Sequence, residues 1–324
     1  MKQVLNNLFD HRTLSSAQAR EVLVNIASAQ YTPAQVAAFL SVYLMRPITV
    51  EELSGFREAM LELCLRTEFD TNETIDIVGT GGDGKDTFNI STLACFVVAG
   101  AGVKVAKHGN YGVSSVSGSS NVLEALGYKF TNDKSILQAQ LDKPGLCFLH
   151  APLFHPAMKS VAPIRKELGV RTFFNMLGPV VNPSFPKYQL LGVYNLEMAR
   201  LYNYLLQQTE NEYVIVHSHD GYDEISLTGT YKVLSRTGER VIEPVHKLKQ
   251  EELYGGKSVD DSAKIFYDVL TGRGTKAQQQ VVIANAALAI RCVKGNAEED
   301  AYQMARESLV SGKALKVFNQ LIKK

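Results

Sequence analysis

The chain has 324 residues, which is long enough for a complete enzyme core and indicates one large domain with a smaller companion. Its 34 basic and 33 acidic residues give a formal net charge of +1, so the molecule has no overall field that would attract nucleic acid or an anionic membrane. Any anion-binding site must therefore be local.

The start of the chain lacks the apolar core of a signal peptide, and no later apolar run reaches the roughly 18 to 20 residues that cross a bilayer. We therefore expect a cytoplasmic protein without a membrane partner. The four cysteines, Cys64, Cys95, Cys147 and Cys292, are far apart and form no C-x-x-C pair. Their spacing favours reduced thiols in the core over a zinc or redox site.

The first 65 residues show helical patterns with capping signals. Thr32 precedes one predicted helix, in which apolar residues recur at helical spacing from Val36 to Leu44. Thr49 and Glu52 have the spacing of a capping box at the start of the next helix. The sequence therefore predicts a small N-terminal helical unit.

From about residue 70 the pattern changes to short β-branched runs, each followed by a glycine-rich or serine-rich loop and a helix. Two such units follow one another, with strands at 74–79 and 103–109 and helices at 91–102 and 121–127. Further buried strands are predicted at 145–150, 188–194 and 212–217, and three helices from about residue 258. This order indicates a mostly parallel sheet covered by helices.

The loop "GTGGDGKDT" at 79–87 fits two nucleotide-binding patterns only in part. A dinucleotide fold requires an acidic residue about 20 positions later, but none occurs between Thr87 and Asn121, so a nicotinamide-dependent dehydrogenase is disfavoured. A P-loop requires Ser or Thr after Lys85, where Asp86 stands instead. The acid-free stretch favours a polyanion, and Asn89 or Ser91 is expected to cap the following helix.

The second loop contains "KHGN" at 107–110, followed by several serines: Ser114, Ser115, Ser117, Ser119 and Ser120. Both loops follow consecutive strands of the predicted sheet. Two loops of this kind at the carboxyl ends of neighbouring strands indicate a ligand with two separated phosphate groups.

The ordered motifs "GTGGD", "NIST", "KHGN", "SGSSNVLEALG", "HPAMKSVAPIRKELGVRTFFNMLGPVVNP" (155–183) and "DEISLTG" (223–229) resemble the anthranilate phosphoribosyltransferases. The resemblance implies transfer of the phosphoribosyl group of phosphoribosyl pyrophosphate to anthranilate in tryptophan synthesis, usually by a homodimer. It also implies the nucleoside phosphorylase/phosphoribosyltransferase type of fold. We expect a helical domain at 1–70, joined by a segment near 165–185, and an α/β domain at 71–324.

The resemblance also assigns roles to individual residues. It implies contacts to phosphoribosyl pyrophosphate from Gly79, Gly82, Asp83, Thr87, Asn89, Ser91, Thr92, Lys107 and Ser119. It implies that Asp223 and Glu224 hold Mg²⁺ with Ser91, which agrees with the preference of this ion for carboxylates and substrate phosphates.

Anthranilate recognition is assigned by the resemblance to Arg165, which is suited to grip a carboxylate, and to Asn110. Three roles remain open for His108: substrate orientation, proton transfer and support of its loop. His217 and His219 lie two apart on a predicted strand, but no third ligand accompanies them, and a structural role is favoured.

The chain departs from the usual family pattern at Tyr111, Val116, Asn121 and Ser160, where Arg, Lys, Asp and His are common. These departures bear on the choice of acceptor more than on the fold. The alternatives are a relative with another acceptor and a nucleic-acid-binding relative without catalysis, although the balanced charge argues against the latter. A pyrimidine nucleoside phosphorylase shares a "KHGN"-like loop but usually carries an additional C-terminal domain.

Overall fold

The computed structural model describes residues 1–112 and 116–322, so Ser114 and Ser115 of the second predicted loop lie outside the described residues. The chain forms two compact units, one comprising Met1–Thr67 with Ala151–Pro183 and the other Glu68–His150 with Ser184–Lys324. The segment that returns to the helical unit thus begins at Ala151, before the expected residue 165. Its two ends are fixed by backbone bonds from Leu65 N to Phe154 O (2.7 Å) and from Thr67 N to Pro183 O (2.9 Å).

The helical unit contains seven α-helices in its described residues: α1 (Lys2–Phe9), α2 (Ser16–Ala27), α3 (Pro33–Met45), α4 (Val50–Glu62), α8 (Ala151–Phe154), α9 (Ala162–Leu168) and α10 (Phe174–Leu177). Thr49 and Glu52 form the predicted capping box of α4. The core includes Phe56 stacked on Phe173 with ring centroids 4.4 Å apart. This packing attaches the returning segment to the N-terminal helices.

The α/β unit is built on a seven-stranded sheet with the order β3-β2-β1-β4-β5-β6-β7. Its strands are β1 (Ile75–Gly79), β2 (Val105–Gly109), β3 (Leu146–His150), β4 (Tyr188–Gly192), β5 (Glu212–Ser218), β6 (Tyr231–Ser235) and β7 (Gly238–Ile242). The first five are parallel, which confirms the predicted mostly parallel sheet. The antiparallel pair β6 and β7 was not predicted.

The helices of the α/β unit are α5 (Ile90–Gly100), α6 (Ser119–Ala125), α7 (Lys134–Asp142), α11 (Leu196–Gln207), α12 (Val259–Leu270), α13 (Lys276–Lys294), α14 (Glu298–Val310) and α15 (Lys313–Ile322). The prediction of three helices in the tail is wrong, because four are present. The last predicted helix is divided at Gly312, whose φ of 80° is incompatible with a continuous α-helix. Among the described residues, no helix is long and apolar enough to cross a membrane.

Candidate active site

The carboxyl ends of β1 and β4 form the floor of the candidate site. These strands pair in parallel with Gly79 opposite Gly192, and the Asp223 segment lies directly against both glycines. A Cβ at Gly192 would lie 1.6 Å from the Asp223 carbonyl oxygen, and a Cβ at Gly79 would lie 2.4 Å from Asp223 Oδ2. Glycine is therefore required at position 192 for the acidic segment to reach the sheet, and a side chain at position 79 would displace the Asp223 carboxylate.

Two adjacent carboxylates are oriented by backbone amides of the first loop and its helix. Asp223 Oδ2 accepts a hydrogen bond from Gly81 N at 2.7 Å, and Glu224 Oε1 accepts one from Ser91 N at 2.8 Å. Both carboxylates are buried. The "GTGGD" and "DEISLTG" motifs, more than 130 residues apart in sequence, are thus brought together as one acidic centre.

The acidic centre favours protonation. Burial, together with the charge of Asp83, raises the pKa of Asp223 to about 7. Burial and the neighbouring Asp223 raise the pKa of Glu224, and burial raises that of Asp83. The buried carboxylates of Asp223 and Glu224 and the half-buried one of Asp83 repel one another and would be stabilised by a cation.

The first loop owes its shape to backbone conformation and to a second segment of chain. Gly82 has a φ of 80°, and Asp86, a non-glycine residue, has a φ of 49°. Gly255 N donates to Asp86 O at 2.8 Å, and Phe88 N donates to Leu253 O at 3.0 Å. The loop that carries Asp83 and Thr87 is therefore stabilised by hydrogen bonds with the 253–255 segment as well as by its own turns.

The start of α5 does not have the capping that the sequence predicted. Asn89 occupies the N-cap position, but its side chain accepts no capping hydrogen bond and instead donates through Nδ2 to Ser117 O at 2.9 Å. The amide of Ser91 is satisfied by Glu224. The expected side-chain cap is thus replaced by a carboxylate from a distant segment, while Asn89 links the first loop to the second. Thr92 is buried.

The second loop is closed by short-range hydrogen bonds. Asn110 O accepts bonds from Ser119 Oγ and Ser120 N, each at 3.2 Å. Asn110 and Ser119, both implied ligand contacts, are therefore neighbours in the structure.

The Asn121 side chain forms a second set of hydrogen bonds that close this loop. Its Oδ1 accepts from Gly112 N at 2.9 Å and from Gly118 N at 3.0 Å. A Cβ on Gly118 would lie 2.1 Å from Gly112 N, so the two ends of the loop are in direct contact. At the neighbouring departure from the family pattern, Tyr111 donates its hydroxyl to Glu124 Oε1 at 2.9 Å.

Lys107 and His108 are buried at the end of β2. The Lys107 ammonium group donates to the Ile77 carbonyl oxygen of β1, which occupies one of its three donors. The His108 amide donates to Asp76 Oδ1 at 3.1 Å. In this structure both residues support the ends of β1 and β2.

Three buried polar atoms lie in these loops without a hydrogen-bond partner in the described part of the chain: Thr80 Oγ1, Asn89 Oδ1 and Ser117 Oγ. Unsatisfied buried polar atoms are uncommon in folded proteins and require a specific explanation. Their concentration in the two loops is typical of a site that binds a ligand rich in donors or acceptors.

Arg165 lies in the helical unit, half-buried on α9. Its Nη2 donates to Asn175 Oδ1 at 3.1 Å, and the guanidinium carbon lies 5.3 Å from the centre of the Phe174 ring. Burial lowers the pKa of Arg165. Asn175 was not predicted as a site residue, although it follows Arg165 by ten residues within the segment 155–183.

Among residues 1–112 and 116–322, no three His, Cys, Asp or Glu side chains are arranged to enclose a metal ion. Mg²⁺ usually takes only one or two carboxylates and completes its shell with water and substrate phosphate. The carboxylates of the acidic centre fit that mode of binding. His217 Nδ1 bonds with Val193 O and His219 Nδ1 with Thr230 Oγ1, each at 2.9 Å, which supports a structural role for the pair.

Family models and curated relatives agree on the classification of the chain. Residues 71–315 match the α/β domain of a glycosyl transferase family, and residues 2–64 match the helical bundle domain of that family. The chain is 58% identical to the anthranilate phosphoribosyltransferase of Flavobacterium johnsoniae, with 99% of this chain and 98% of that protein covered. It is 57% identical to the enzyme of that name from Cytophaga hutchinsonii, with both chains fully covered.

The chain belongs to the anthranilate phosphoribosyltransferase family. Solved structures agree with this membership. The anthranilate phosphoribosyltransferase of Thermus thermophilus superimposes with a TM-score of 0.91 at 32% identity, with 98% of each chain covered. The Saccharomyces cerevisiae enzyme in complex with phosphoribosyl pyrophosphate and Mg superimposes with a TM-score of 0.90 at 28% identity, covering 98% of this chain and 95% of the other. The fold class expected for this chain from its sequence and its resemblance to this family is confirmed.

Proposed function

We propose that the protein transfers the phosphoribosyl group of phosphoribosyl pyrophosphate to the amine of anthranilate, releasing pyrophosphate, in tryptophan biosynthesis. The observation that carries the proposal is the meeting of two donor-rich loops with an acidic centre at one edge of a parallel sheet. Family membership supports the choice of reaction.

The two loops are assigned to phosphoribosyl pyrophosphate. The first supplies Gly79, Gly82, Asp83 and Thr87, the start of α5 supplies Asn89, Ser91 and Thr92, and the second loop supplies Ser119. The unsatisfied Asn89 Oδ1 and Ser117 Oγ support a ligand at the point where the loops meet. Lys107 joins this set because two of its three donors remain after the bond to Ile77 O.

Mg²⁺ is assigned to Asp223 and Glu224 with Ser91. The support is the raised pKa of both carboxylates, which a bound cation would reverse. When bound, the ion would neutralise charge on the pyrophosphate leaving group. Gly81 N and Ser91 N hold the two carboxylates in place for this task.

Catalysis is assigned mainly to positioning and electrostatics. An aromatic amine is neutral at pH 7 and is already a nucleophile, so it can attack the anomeric carbon without a strong base. The bond from that carbon to pyrophosphate breaks as the bond to nitrogen forms, and the amine then loses a proton. The loops hold the donor in line for attack and stabilise the departing charge. His108 is assigned a supporting role, because its amide joins the end of β2 to Asp76 of β1.

Anthranilate is assigned to Arg165 and Asn110. Arg165 is half-buried, and burial alone accounts for its lowered pKa, so its charge is available to a substrate carboxylate. At the departures from the family pattern, the Asn121 amide closes the second loop through neutral bonds and the Tyr111 hydroxyl donates to Glu124, which is compatible with this acceptor.

We also propose a cytoplasmic homodimer. The four free cysteines agree with a reducing compartment. Exposed apolar side chains of the helical unit, including Phe9, Leu44 and Met45, offer apolar surface to a second copy. Light scattering coupled to size-exclusion chromatography tests the dimer: a mass near 36 kDa, that of one 35.7 kDa chain, would exclude it.

The reaction is tested by mixing the protein with phosphoribosyl pyrophosphate, Mg²⁺ and anthranilate and following the loss of anthranilate fluorescence. Loss that requires all three components is expected, with pyrophosphate formed in equal amount. The Arg165→Ala variant is expected to retain binding of phosphoribosyl pyrophosphate but to lose affinity for anthranilate. Binding of phosphoribosyl pyrophosphate without any loss of fluorescence would show that the acceptor is a different molecule.

A further inference from the structure

The Arg165 side chain is oriented by neutral groups. Its Nη2 donates to the amide oxygen of Asn175, and its guanidinium lies against the face of Phe174. In the ranges 1–112 and 116–322, no carboxylate shifts its pKa, which burial lowers. A half-buried cation that is held without a counter-ion keeps its full charge for a ligand.

Asn175 Oδ1 has two donors, both in the helical unit. Besides Arg165 Nη2 at 3.1 Å, it accepts the backbone amide of Thr172 at 3.2 Å, and Asn175 N donates to Thr172 O at 3.0 Å. These reciprocal bonds fix the Asn175 side chain at the turn that leads into α10. The oxygen that contacts Arg165 is therefore anchored to the backbone.

Polar groups around this oxygen are left unsatisfied. Arg165 Nε and Thr172 Oγ1 are buried and have no hydrogen-bond partner in the ranges 1–112 and 116–322. Both belong to residues that are bonded to Asn175 Oδ1 through another atom. A ligand carboxylate would satisfy the Nε–H donor of Arg165, which Asn175 leaves unused.

We propose that Asn175 is a positioning residue that fixes the Arg165 guanidinium for the substrate carboxylate while leaving its charge uncompensated. An amide is required because it accepts both hydrogen bonds without supplying a negative charge. This inference rests on the proposed function, in which Arg165 binds anthranilate. The neutrality of Asn175 then determines the affinity for the acceptor.

The Asn175→Asp variant tests the inference, because a carboxylate of nearly the same shape keeps both accepted hydrogen bonds but pairs with Arg165. The KM for anthranilate is expected to rise about tenfold or more, the range for loss of a hydrogen bond to a charged group. Binding of phosphoribosyl pyrophosphate is expected to stay at the wild-type value. Asn6→Asp, on the exposed side of α1, makes the same charge change in the same unit and is expected to leave both values unchanged.

Folding and function are separated by two further measurements. The melting temperature of Asn175→Asp should remain near that of the wild type, whereas Asn175→Ala, which lacks the acceptor, should melt lower. Asn175→Ala should still bind anthranilate better than Asn175→Asp if both fold, because its Arg165 keeps its charge.

The outcomes distinguish this inference from the proposed function. If the wild type uses anthranilate and Arg165→Ala raises its KM, but folded Asn175→Asp does not, the positioning role of Asn175 is wrong and the proposed function stands. If the wild type does not use anthranilate, the proposed function itself fails. A rise in KM equal for Asn175→Asp and Asn175→Ala would show that the negative charge at position 175 adds nothing to the loss, which also overturns the inference.

Discussion

The loop after β1 is held against buried carboxylates, whereas the loop after β2 is closed by neutral hydrogen bonds. In the first loop, Gly81 N bonds to Asp223, and the adjacent Glu224 accepts the amide of Ser91. In the second, Asn121 Oδ1 joins Gly112 to Gly118. The first arrangement buries like charges together, which a cation would stabilise, while the closure of the second uses hydrogen bonds between neutral groups of the chain.

This difference assigns separate tasks to the loops. On the proposed function, the acidic centre would make the first loop responsive to Mg²⁺ and to pH and would suit it to the charged leaving group. The second loop would then hold the rest of the donor molecule and the acceptor at a fixed distance. Substitutions in the acidic centre should therefore change how the reaction rate depends on Mg²⁺. Substitutions in the second loop should change the KM values for the substrates and leave that dependence on Mg²⁺ unchanged.

The largest effect is expected for Glu224→Gln. Glutamine can still accept the Ser91 amide, but it removes one charge from the acidic centre. We expect kcat/KM to fall about 100-fold or more, the magnitude seen when a group that stabilises transition-state charge is lost. Steady-state kinetics across a range of Mg²⁺ concentrations measure this fall.

The matched control is Glu212→Gln. Glu212 is exposed at the amino end of β5, the strand whose carboxyl end precedes the acidic segment. Its substitution should leave kcat/KM within about twofold of the wild type, as for most surface changes. Equal losses of kcat/KM in the two variants would show that the acidic centre has no specific role in the reaction.

Mg²⁺ binding should strengthen as pH rises. The pKa of Asp223 is raised to about 7 from an ordinary value of 3.8, so the folded protein retains a proton that the ion must displace. Titration calorimetry at pH 7 in two buffers of different ionisation enthalpy should show net proton release on binding. Binding without net proton release at this pH would contradict the assignment of Mg²⁺ to Asp223 and Glu224.

The free energy of unfolding of the metal-free protein should fall as pH rises, whereas Mg²⁺ binding should strengthen. Because the folded pKa of Asp223 lies above the unfolded value, its protonated form is favoured by folding. The resulting stability is fully present below about pH 4 and is lost as pH rises towards about pH 7. The loss in melting temperature over this interval should be smaller in Asp223→Asn than in the wild type.

A smaller effect is expected for Asn121→Ala, which removes the two hydrogen bonds that close the second loop. We expect the KM for phosphoribosyl pyrophosphate to rise about fivefold to tenfold, from the loss of roughly 1 kcal/mol or slightly more. The Mg²⁺ dependence should be unchanged. Asn121→Asp keeps an acceptor for both amides and should lie closer to the wild type than Asn121→Ala does.

The smallest effect is expected for Tyr111→Phe. The bond from the Tyr111 hydroxyl to Glu124 is exposed, where hydrogen bonds contribute little because water competes for both groups. The ring contact with His150, with centroids 4.8 Å apart, is retained. Both KM values should stay within about twofold of the wild type. A larger rise would show that the Tyr111 hydroxyl itself contacts a substrate.

The sequence predicted what local patterns determine. The capping box of α4, the five parallel strands and the order of loop and helix after β1 and β2 follow from residue spacing and turn chemistry. The acidic dipeptide at 223–224 was found only through the resemblance, since two adjacent carboxylates alone are typical of an exposed turn.

Features that depend on tertiary contacts were missed. The Ser91 amide is satisfied by Glu224, 133 residues away, and not by a local cap. The bond from Lys107 to the Ile77 carbonyl oxygen of β1 joins residues 30 positions apart and was not predicted. The contact of Asn175 with Arg165 crosses the turn between α9 and α10, and nothing in the spacing of the two residues predicts that turn. Such contacts are set by packing and not by local propensity.

The most direct test of the account is the affinity for phosphoribosyl pyrophosphate with and without Mg²⁺, measured by calorimetry for the wild type and Glu224→Gln. We expect Mg²⁺ to strengthen binding to the wild type about tenfold or more, as for a charge-assisted contact, and much less in the variant. Equal strengthening in both proteins would show that the ion does not use the acidic centre and would contradict the division of tasks between the loops.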